Sequence, residues 1–420
     1  MSESDIRPPP PPLLRQCILE DFKEPVVFQG LLSNWKFLSW DLQEWARVLG
    51  DKLMPFRSGV RKVTPVPQWE RSCQTTHLTM KEFLELAEPK EISSGKNTSN
   101  WFYFDYKYMH QWFKENPDIL QAVCWEDFGF PEQRGEQSTV WIGSDGAHTP
   151  CHFDTYGCNL VAQVYGMKQW ILFPPKASAS LLPTRVPYEE SSVYSKHNFY
   201  SPDPHIANGL HKAWIITLKP GEVLFVPHHW WHYVENIGTA ISINTWLPLP
   251  SDCESRLEEC LVKLLVSQLS REVPDTEMIF NPNEDDASGC SLQENITLLE
   301  TCMQQFFEQQ LDREQLHTEG ESPEPKRMKT VPCDSNDLWD RRTSISHYET
   351  FIQNVPTYSG DQLQNFLATK RANFKSFSSN NPELSSVTFT VEKVINALCH
   401  PDVISVAKTK LCQEFCGNNL

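Results

Sequence analysis

The residues best suited to chemistry lie in two separate stretches of the sequence. The first stretch contains a His-x-Asp pair, His152 and Asp154. The second contains a group of three histidines among aromatic residues, His228, His229 and His232. Two imidazoles and one carboxylate can hold three adjacent positions of a non-haem Fe(II) ion and leave the others open. The sequence therefore predicts an iron site, on condition that the fold brings the two stretches together.

The third ligand is chosen by asking where a strand resumes. Pro227 breaks the strand before the histidines, and a strand that re-enters after the turn aims a side chain inward. This favours His232, because His228 and His229 sit in the turn itself. A lone His-x-Asp pair arises by chance, so the prediction depends on the joint pattern. Zinc held by the same three ligands is an alternative.

Lys168 is the next informative residue. It lies on a predicted strand beside Trp170, where burial of its charge is costly unless an anion meets it. A dicarboxylate cosubstrate that chelates iron at one end supplies such an anion, with Thr149 adding a hydrogen bond. Asn159 and Asn244 lie on strands of the same block and are candidates for orienting the ligands. The alternative for Lys168 is a surface position at a hairpin.

The elements that must position these residues are short strands. From residue 139 onward the apolar residues alternate, and Gly143, Gly146, Gly157 and Gly166 mark turns. Strands separated by turns without interleaved helices are typical of an antiparallel barrel or sandwich. The segments before and after this block have helical periodicity in part. The expected fold is a mainly β core with helices.

The expected organisation has six parts. A disordered proline-rich lead is followed by a mixed α/β cap and the β core. After these come a helical pair, which packs either on the core or in a homodimer, then a polar linker and a helical extension. In order, they are residues 1–15, 16–130, 131–250, 251–311, 312–335 and 336–420.

Composition narrows the class of protein. The formal net charge of -17 disfavours nucleic acid as a general partner. The 13 cysteines form no C-x-x-C pair, which fits a reducing compartment. No stretch resembles a signal peptide or a membrane span, so a cytoplasmic location is expected. A short basic run is a weak nuclear signal or a solvated part of the linker: Lys326, Arg327 and Lys329.

Three motifs carry a family resemblance. They are T-P-C-H-F-D from Thr149, G-x-K-x-W-x-L-F-P-P from Gly166 and G-E-V-L-F-V-P-x-x-W-W-H from Gly221. Together they resemble the JmjC family of 2-oxoglutarate-dependent oxygenases. Within it they resemble the cupin-like branch that includes the asparaginyl hydroxylase acting on hypoxia-inducible factor. The resemblance covers roughly residues 16 to 310.

The resemblance implies a fold, a site and a partner. The fold would be a double-stranded β-helix, also called a jelly roll. Fe(II) would be held by the predicted triad, and 2-oxoglutarate by two principal residues with help from three more. Association with a small heat-shock protein is implied as well. The implied cosubstrate residues are Lys168 and Thr149, then Asn159, Asn244 and Tyr103.

One feature departs from the family pattern. Relative to the asparaginyl hydroxylase, the chain has one extra residue between Asp154 and Asn159, in the segment T-Y-G-C. The metal ligands match, whereas the loop beside them differs. The substrate is therefore not implied by the resemblance.

Two functional classes follow. The first is an oxygenase that uses dioxygen to hydroxylate a protein, with N-methyl-lysine demethylation and RNA-base hydroxylation as alternatives within the class. The second is a non-catalytic binding protein that modulates a small heat-shock protein. Conversion of 2-oxoglutarate to succinate discriminates the two classes.

Overall fold

A computed structural model of the chain describes residues 7–88, 99–271, 273, 278–281, 290–318, 348–374 and 386–417. Strands dominate the region before residue 250. The strands are β1 (Val26–Gln29), β2 (Met54–Val60), β3 (Gln74–Leu78), β4 (Asn100–Tyr108), β5 (Cys124–Trp125), β6 (Phe130–Arg134), β7 (Thr139–Gly143), β8 (His148–Asp154), β9 (Cys158–Phe173), β10 (Pro183–Glu189), β11 (Ser192–Ser195), β12 (Lys212–Leu218), β13 (Glu222–Val226), β14 (Trp231–Leu247), β15 (Ile352–Asn354) and β16 (Thr357–Ser359).

Helices are short before residue 250 and longer after it. A π-helical turn over Cys17–Asp21 continues the first helix. The α-helices are α1 (Pro11–Gln16), α2 (Leu42–Leu49), α3 (Met80–Ala87), α4 (Met109–Trp112), α5 (Pro117–Ala122), α6 (Ser178–Leu181), α7 (Asp252–Ser270), α8 (Leu292–Thr318), α9 (Gly360–Ala372), α10 (Ser386–Leu398) and α11 (Pro401–Gly417).

Two long strands hold the β core together. The first half of β9 pairs with β13 and its second half pairs with β12, while β14 pairs with β9 along both halves. One layer of the core follows the order β3-β2-β4-β7-β14-β9-β13-β1-β15. The other layer contains β10, β11 and β8 beside β14, and β12 and β16 beside β9. The result is an antiparallel jelly roll, as the sequence predicted.

The two long strands bend where they leave one layer and enter the other. Gly166 has a φ of +61°, and a Cβ there would lie 2.0 Å from the carbonyl oxygen of Thr239. The register between β9 and β14 shifts in the same region, between Ile237 and Ile241. The sequence had indicated a turn at Gly166. The chain instead bends there within one continuous strand, and β14 bends in the same way before Ile241, because cross-strand pairing continues on either side.

The predicted disordered lead over residues 1–15 is wrong for its last part. Helix α1 begins at Pro11, a residue type that is well suited to the first helical position. Leu14 is completely buried in the main hydrophobic core. Arg15 donates a hydrogen bond of 2.8 Å to the carbonyl oxygen of Gly129. The helix is stabilised by the burial of Leu14 and by this hydrogen bond. The proline-rich sequence alone did not predict it.

The helical pair α7 and α8 packs within a third hydrophobic core. This core also includes β10 and the C-terminal helices α10 and α11. A buried ion pair joins Arg185 of β10 to Glu259 of α7. The helices therefore pack on the core of their own chain, while a homodimer through the same segment stays a prediction. Helix α8 continues to Thr318, past the predicted start of the linker. The rest of that linker, residues 319–335 with its basic run, lies outside the described residues.

The segment after the linker is not wholly helical. Strand β15 pairs with β1, and β16 pairs with β12, so both extend the β core. Helix α9 follows directly, and its Leu363 and Leu367 are buried against the same core. The prediction of a helical extension missed these two strands.

In the parts of the chain described above, no helix combines the length and apolar character that crossing a bilayer requires.

Candidate active site

The three predicted metal ligands lie together between the two layers. His152 and Asp154 are on β8, and His232 is the second residue of β14. His152 and His232 are paired across the two antiparallel strands, and their ring centroids are 4.2 Å apart. One potential ligand atom from each residue lies within 4.8 Å of the others. The pairing of β8 with β14 thus brings together residues that are far apart in sequence.

The orientation of the ligands suits a metal ion. The Nδ1 atoms of His152 and His232 contact the backbone carbonyl oxygens of Pro150 and Trp230 at 2.8 and 2.9 Å. These contacts leave Nε2 of each imidazole for coordination. Nε2 of His152 is 3.6 Å from Oδ1 of Asp154. Two imidazole nitrogens and one carboxylate oxygen fit the donor set of a non-haem Fe(II) site.

The protonation states of Asp154 and His232 also favour a cation. Burial tends to raise the pKa of Asp154, but its hydrogen bond with His152 and the nearby charge of His232 together lower that pKa to about 2. Burial, with the charge of His152, lowers the pKa of His232 to about 4. At neutral pH the site therefore contains an ionised carboxylate and a neutral His232. These are the forms that bind metal.

A chain of hydrogen bonds fixes the carboxylate. Oδ2 of Asp154 accepts a hydrogen bond of 3.0 Å from the indole of Trp246 and one of 3.4 Å from the amide of Asn159. Asn159 in turn accepts from Asn244 at 2.9 Å, and Asn244 accepts from the indole of Trp141 at 2.7 Å. These bonds engage Oδ2 and leave Oδ1 facing His152. The two predicted amides therefore lie one and two steps from the metal ligands.

Lys168 lies deep in the same cavity. Its side chain donates hydrogen bonds to the hydroxyl oxygens of Tyr103 and Ser242, at 3.2 and 2.7 Å, and the residue is only 2% exposed. No Asp or Glu among the residues placed in the structure forms an ion pair with it. Burial lowers its pKa to about 7, although the charge of Asp105 acts in the opposite direction. The alternative of a surface lysine at a hairpin is wrong.

The remaining predicted residues line this cavity of about 280 Å³. Thr149 and Tyr103 lie on its wall with Lys168. Burial raises the pKa of the Tyr103 hydroxyl far above its ordinary value, and a hydrogen bond with Thr149 partly offsets this effect. Tyr103 is therefore a neutral phenol that can donate a hydrogen bond. The structure brings all eight sequence-predicted site residues to one cavity.

Sequence reasoning missed Ser242, Trp246 and Trp141. Ser242, Asn244 and Trp246 alternate along β14 and all line the cavity. Alternate residues of a strand point to the same face, so the prediction for Asn244 could have been extended by two positions in each direction. Trp141 gave no comparable signal, because a tryptophan in a strand is usually a core residue.

The loop at residues 155–157, in the segment that the sequence predicted to differ from the asparaginyl hydroxylase, is held in place by hydrogen bonds to neighbouring elements. The backbone nitrogen of Thr155 donates to the carbonyl oxygen of Ser191 at 3.0 Å. The backbone nitrogen of Gly157 donates to Asp252 at 2.9 Å, and the Gly157 carbonyl oxygen contacts Nδ1 of His228 at 2.8 Å. This loop is thus anchored to α7 and to the turn before β14.

The fold and site define a class of protein. A jelly roll that encloses a His-Asp-His triad is typical of cupin-like domains. The family described as "Cupin-like domain" matches residues 15–252, so the chain belongs to the cupin-like family. The family resemblance of the sequence motifs is confirmed.

Individual relatives match beyond the family level. The chain is 44% identical over 277 residues to HSPB1-associated protein 1 of Bos taurus, an alignment that covers 64% of this chain and 57% of that protein. It is 40% identical over 321 residues to HSPB1-associated protein 1 of Homo sapiens, covering 72% and 65% respectively. The chain thus spans less than two thirds of the length of these relatives. Lysine-specific demethylase 8 of Xenopus tropicalis is 26% identical over 234 residues, covering 53% and 48%.

Proposed function

We propose that this protein is an Fe(II)- and 2-oxoglutarate-dependent oxygenase that hydroxylates a protein substrate. One observation carries the proposal: a His-Asp-His triad faces the same cavity as a buried lysine that has no carboxylate partner among the described residues. The triad accounts for a metal ion, and the lysine accounts for an anionic cosubstrate. Membership of the cupin-like family supports the same class.

The metal would be held by His152, Asp154 and His232. With dioxygen and 2-oxoglutarate, Fe(II) in such a site supplies an oxidising species while 2-oxoglutarate is converted to succinate and carbon dioxide. The protein contributes the orientation of the ligands. Trp246 and Asn159 hold Oδ2 of Asp154, so that Oδ1 is presented to the ion. Loss of such supporting contacts typically weakens metal binding by about 10–100-fold.

The cosubstrate would be held by Lys168. A carboxylate near its ammonium group would replace the missing ionic partner and restore the charged form of the lysine. The hydroxyl groups of Tyr103, Thr149 and Ser242 line the same part of the cavity and can donate further hydrogen bonds. Asn159 and Asn244 would support the metal side of the cavity.

A protein is the substrate class best supported. The net charge of -17 disfavours RNA, because the phosphate backbone would be repelled. The name of the more distant relative, Lysine-specific demethylase 8, supports action on a protein side chain. Hydroxylation is preferred to demethylation here, and both start from oxidation of a C-H bond.

A second candidate function rests on the names of the relatives. Two of them are called HSPB1-associated protein 1, which supports association of this chain with a small heat-shock protein. The binding function and the oxygenase function are compatible. A purely binding protein would have no need of a neutral His232 and a buried Lys168, hydrogen-bonded only to hydroxyl groups among the described residues, in one cavity.

The test is production of succinate from 2-oxoglutarate by the purified full chain, given Fe(II) and ascorbate. We expect slow turnover without a protein substrate and none with Asp154→Ala, because the carboxylate ligand is lost. Asp145→Ala, which changes an exposed carboxylate outside the cavity, is the matched control and should retain turnover. Equal silence of all three proteins, with binding to a small heat-shock protein retained, would favour the binding function alone.

A further inference from the structure

The hydrogen-bond chain behind Asp154 begins at a residue to which the proposed function gives no role. Trp141 of β7 donates from Nε1 to Oδ1 of Asn244 on β14, at 2.7 Å. Nδ2 of Asn244 donates to Oδ1 of Asn159 on β9 at 2.9 Å, and Nδ2 of Asn159 donates to Oδ2 of Asp154 at 3.4 Å. The chain therefore leads from an indole, through two amides, to a predicted metal ligand.

The two ends of the chain give it a direction. An indole N–H can only donate a hydrogen bond, and an ionised carboxylate can only accept one. A side-chain amide donates from its nitrogen and accepts at its oxygen, so turning one amide over reverses both of its bonds. One orientation of the two amides therefore satisfies every bond, with both amide nitrogens directed toward Asp154. The indole of Trp141 requires that orientation at the far end.

Burial of both amides makes the indole donor important. Asn244 is 1% exposed and Asn159 is 5% exposed. Loss of the indole N–H would leave Oδ1 of Asn244 without this donor in a buried position, which is unfavourable. Turning the amide of Asn244 over would replace that oxygen by nitrogen, but it would also place an acceptor against Oδ1 of Asn159. Either outcome weakens the support of Asp154.

The position of the Trp141 indole is fixed by its surroundings. Residue 141 pairs with Ser242 across β7 and β14. Its ring centroid lies 5.9 Å from that of Tyr103 and 5.8 Å from that of Tyr106. The ammonium nitrogen of Lys168 lies over the same ring, 5.8 Å from its centroid. Strand pairing and these neighbours hold the N–H toward Asn244, so the first donor of the chain is preorganised.

We propose that Trp141 is a positioning residue for the metal site. Its N–H sets the direction of the amide chain and so helps to hold Oδ2 of Asp154, which leaves Oδ1 available for coordination. Trp141 acts through Asn244 and Asn159 and contacts no metal ligand itself. Trp246 donates directly to the same Oδ2 at 3.0 Å, so loss of the Trp141 donor weakens the site without abolishing it. This inference rests on the proposed function and adds a residue to its metal site.

The test measures metal binding without turnover. The Kd of Mn(II) for the full chain is obtained from the electron paramagnetic resonance signal of the free ion. Trp141→Phe keeps an aromatic ring and removes the N–H, and we expect it to increase this Kd roughly tenfold. Trp45→Phe is the matched control. Trp45 is a completely buried tryptophan of α2, outside the cavity, whose Nε1 has no hydrogen-bond partner among the described residues. Its replacement should leave the Kd unchanged.

A double-mutant cycle separates positioning from a general loss of structure. Asn244→Leu breaks the chain at its next step and should also increase the Kd of Mn(II). When Trp141→Phe is added to Asn244→Leu, we expect no further increase, because the indole N–H acts only through Asn244. A merely structural effect of Trp141→Phe would raise the Kd by the same factor in both backgrounds.

An unchanged Kd in Trp141→Phe, or an equal increase in both backgrounds, would overturn the role of Trp141 and leave the proposed function standing. If Trp141→Phe fails to fold, as judged by circular dichroism, 3-benzothienylalanine at position 141 gives the same comparison, because sulfur replaces the N–H in a ring of similar size. Binding of Mn(II) to the wild type that is absent, or that persists in Asp154→Ala, would instead overturn the proposed function and this inference with it.

Discussion

Lys168 is the residue where the protein environment and the side-chain chemistry conflict most. The ammonium group of Lys168, a residue that is 2% exposed, donates to two hydroxyl oxygens and forms an ion pair with no carboxylate among the described residues. Two neutral acceptors do not compensate fully for removing a charge from water. This incomplete compensation lowers the pKa of Lys168 to about 7. It also makes the site selective for anions, because a bound anion stabilises the charged lysine.

This leads to a prediction for the pH dependence of cosubstrate binding. With the cavity empty, Lys168 is charged below pH 7 and neutral above it, whereas a bound carboxylate keeps it charged. Binding above pH 7 therefore requires uptake of a proton. We expect the Kd of 2-oxoglutarate, measured at saturating Mn(II), to increase roughly tenfold or more between pH 6.5 and 8.5.

Two variants provide the comparison for this prediction. Lys168→Met should bind 2-oxoglutarate weakly at every pH, because it lacks the titrating group. Lys176→Met, at an exposed position, should behave as the wild type. A wild-type Kd that stays constant from pH 6.5 to 8.5 would contradict the role given to Lys168.

At the scale of elements, β9 and β14 determine both the fold and the site. Each contributes to both layers, and each carries cavity residues on both sides of its bend, with Lys168 and Asn159 on β9 and His232 and Asn244 on β14. The bends are therefore part of the site geometry. If β9 ended at Gly166, Lys168 and Asn159 would lie on separate strands, and their relative positions in the cavity would not be fixed by one strand.

We predict that alanine at Gly166 destabilises the protein more than alanine at Gly221. Both glycines have positive φ, +61° and +89°. A Cβ at Gly166 would lie 2.0 Å from the carbonyl oxygen of Thr239, whereas a Cβ at Gly221 would have nothing within 4 Å. Gly221→Ala should cost only the conformational strain, roughly 1 kcal/mol, and Gly166→Ala roughly 2–4 kcal/mol.

Chemical denaturation of both variants and the wild type measures this difference in the free energy of unfolding. Gly166→Ala should also weaken 2-oxoglutarate binding, because relief of the clash moves β9 relative to β14 and displaces Lys168. Equal free energies of unfolding for the two variants would show that the close approach at Gly166 is not needed for the bend.

The sequence predicted the site better than the connections between elements. His152, Asp154 and His232 have distinctive side-chain chemistry, and the strand pattern around them was enough to place them in one β core. The continuity of β9 was missed, because a glycine before an alternating segment looks the same whether the chain turns or bends. Ser242 was missed because a serine in a strand has no distinctive signal until the partner across the cavity is known.

At the scale of the whole molecule, the segment after the linker is built into the β core. Strand β15 pairs residues 352–354 with residues 26–28 of β1, which lie far away in the sequence. Lys370 of α9 forms an ion pair with Glu235 of β14. Local sequence gave no signal for these strands, because they are short and take their structure from the edges they cover. Residues 348–374 therefore belong to the folding unit of the site.

We predict that Leu363→Ala lowers the stability of the β core, although the residue lies far from the site in sequence. Leu363 is completely buried in a hydrophobic cluster that includes Tyr200, Ala213 and Trp231. Loss of a buried leucine side chain typically costs about 2–5 kcal/mol.

Thirteen of the 14 tryptophans lie between residues 35 and 246, so tryptophan fluorescence during denaturation reports on the β core. The fluorescence midpoint should move to lower denaturant concentration in this variant, and it should stay near the wild-type value in Leu398→Ala, a leucine that is 40% exposed on α10. A core transition that does not move in Leu363→Ala would mean that residues 348–374 fold separately. In that case the edges of β1 and β12 would have to be stable without β15 and β16.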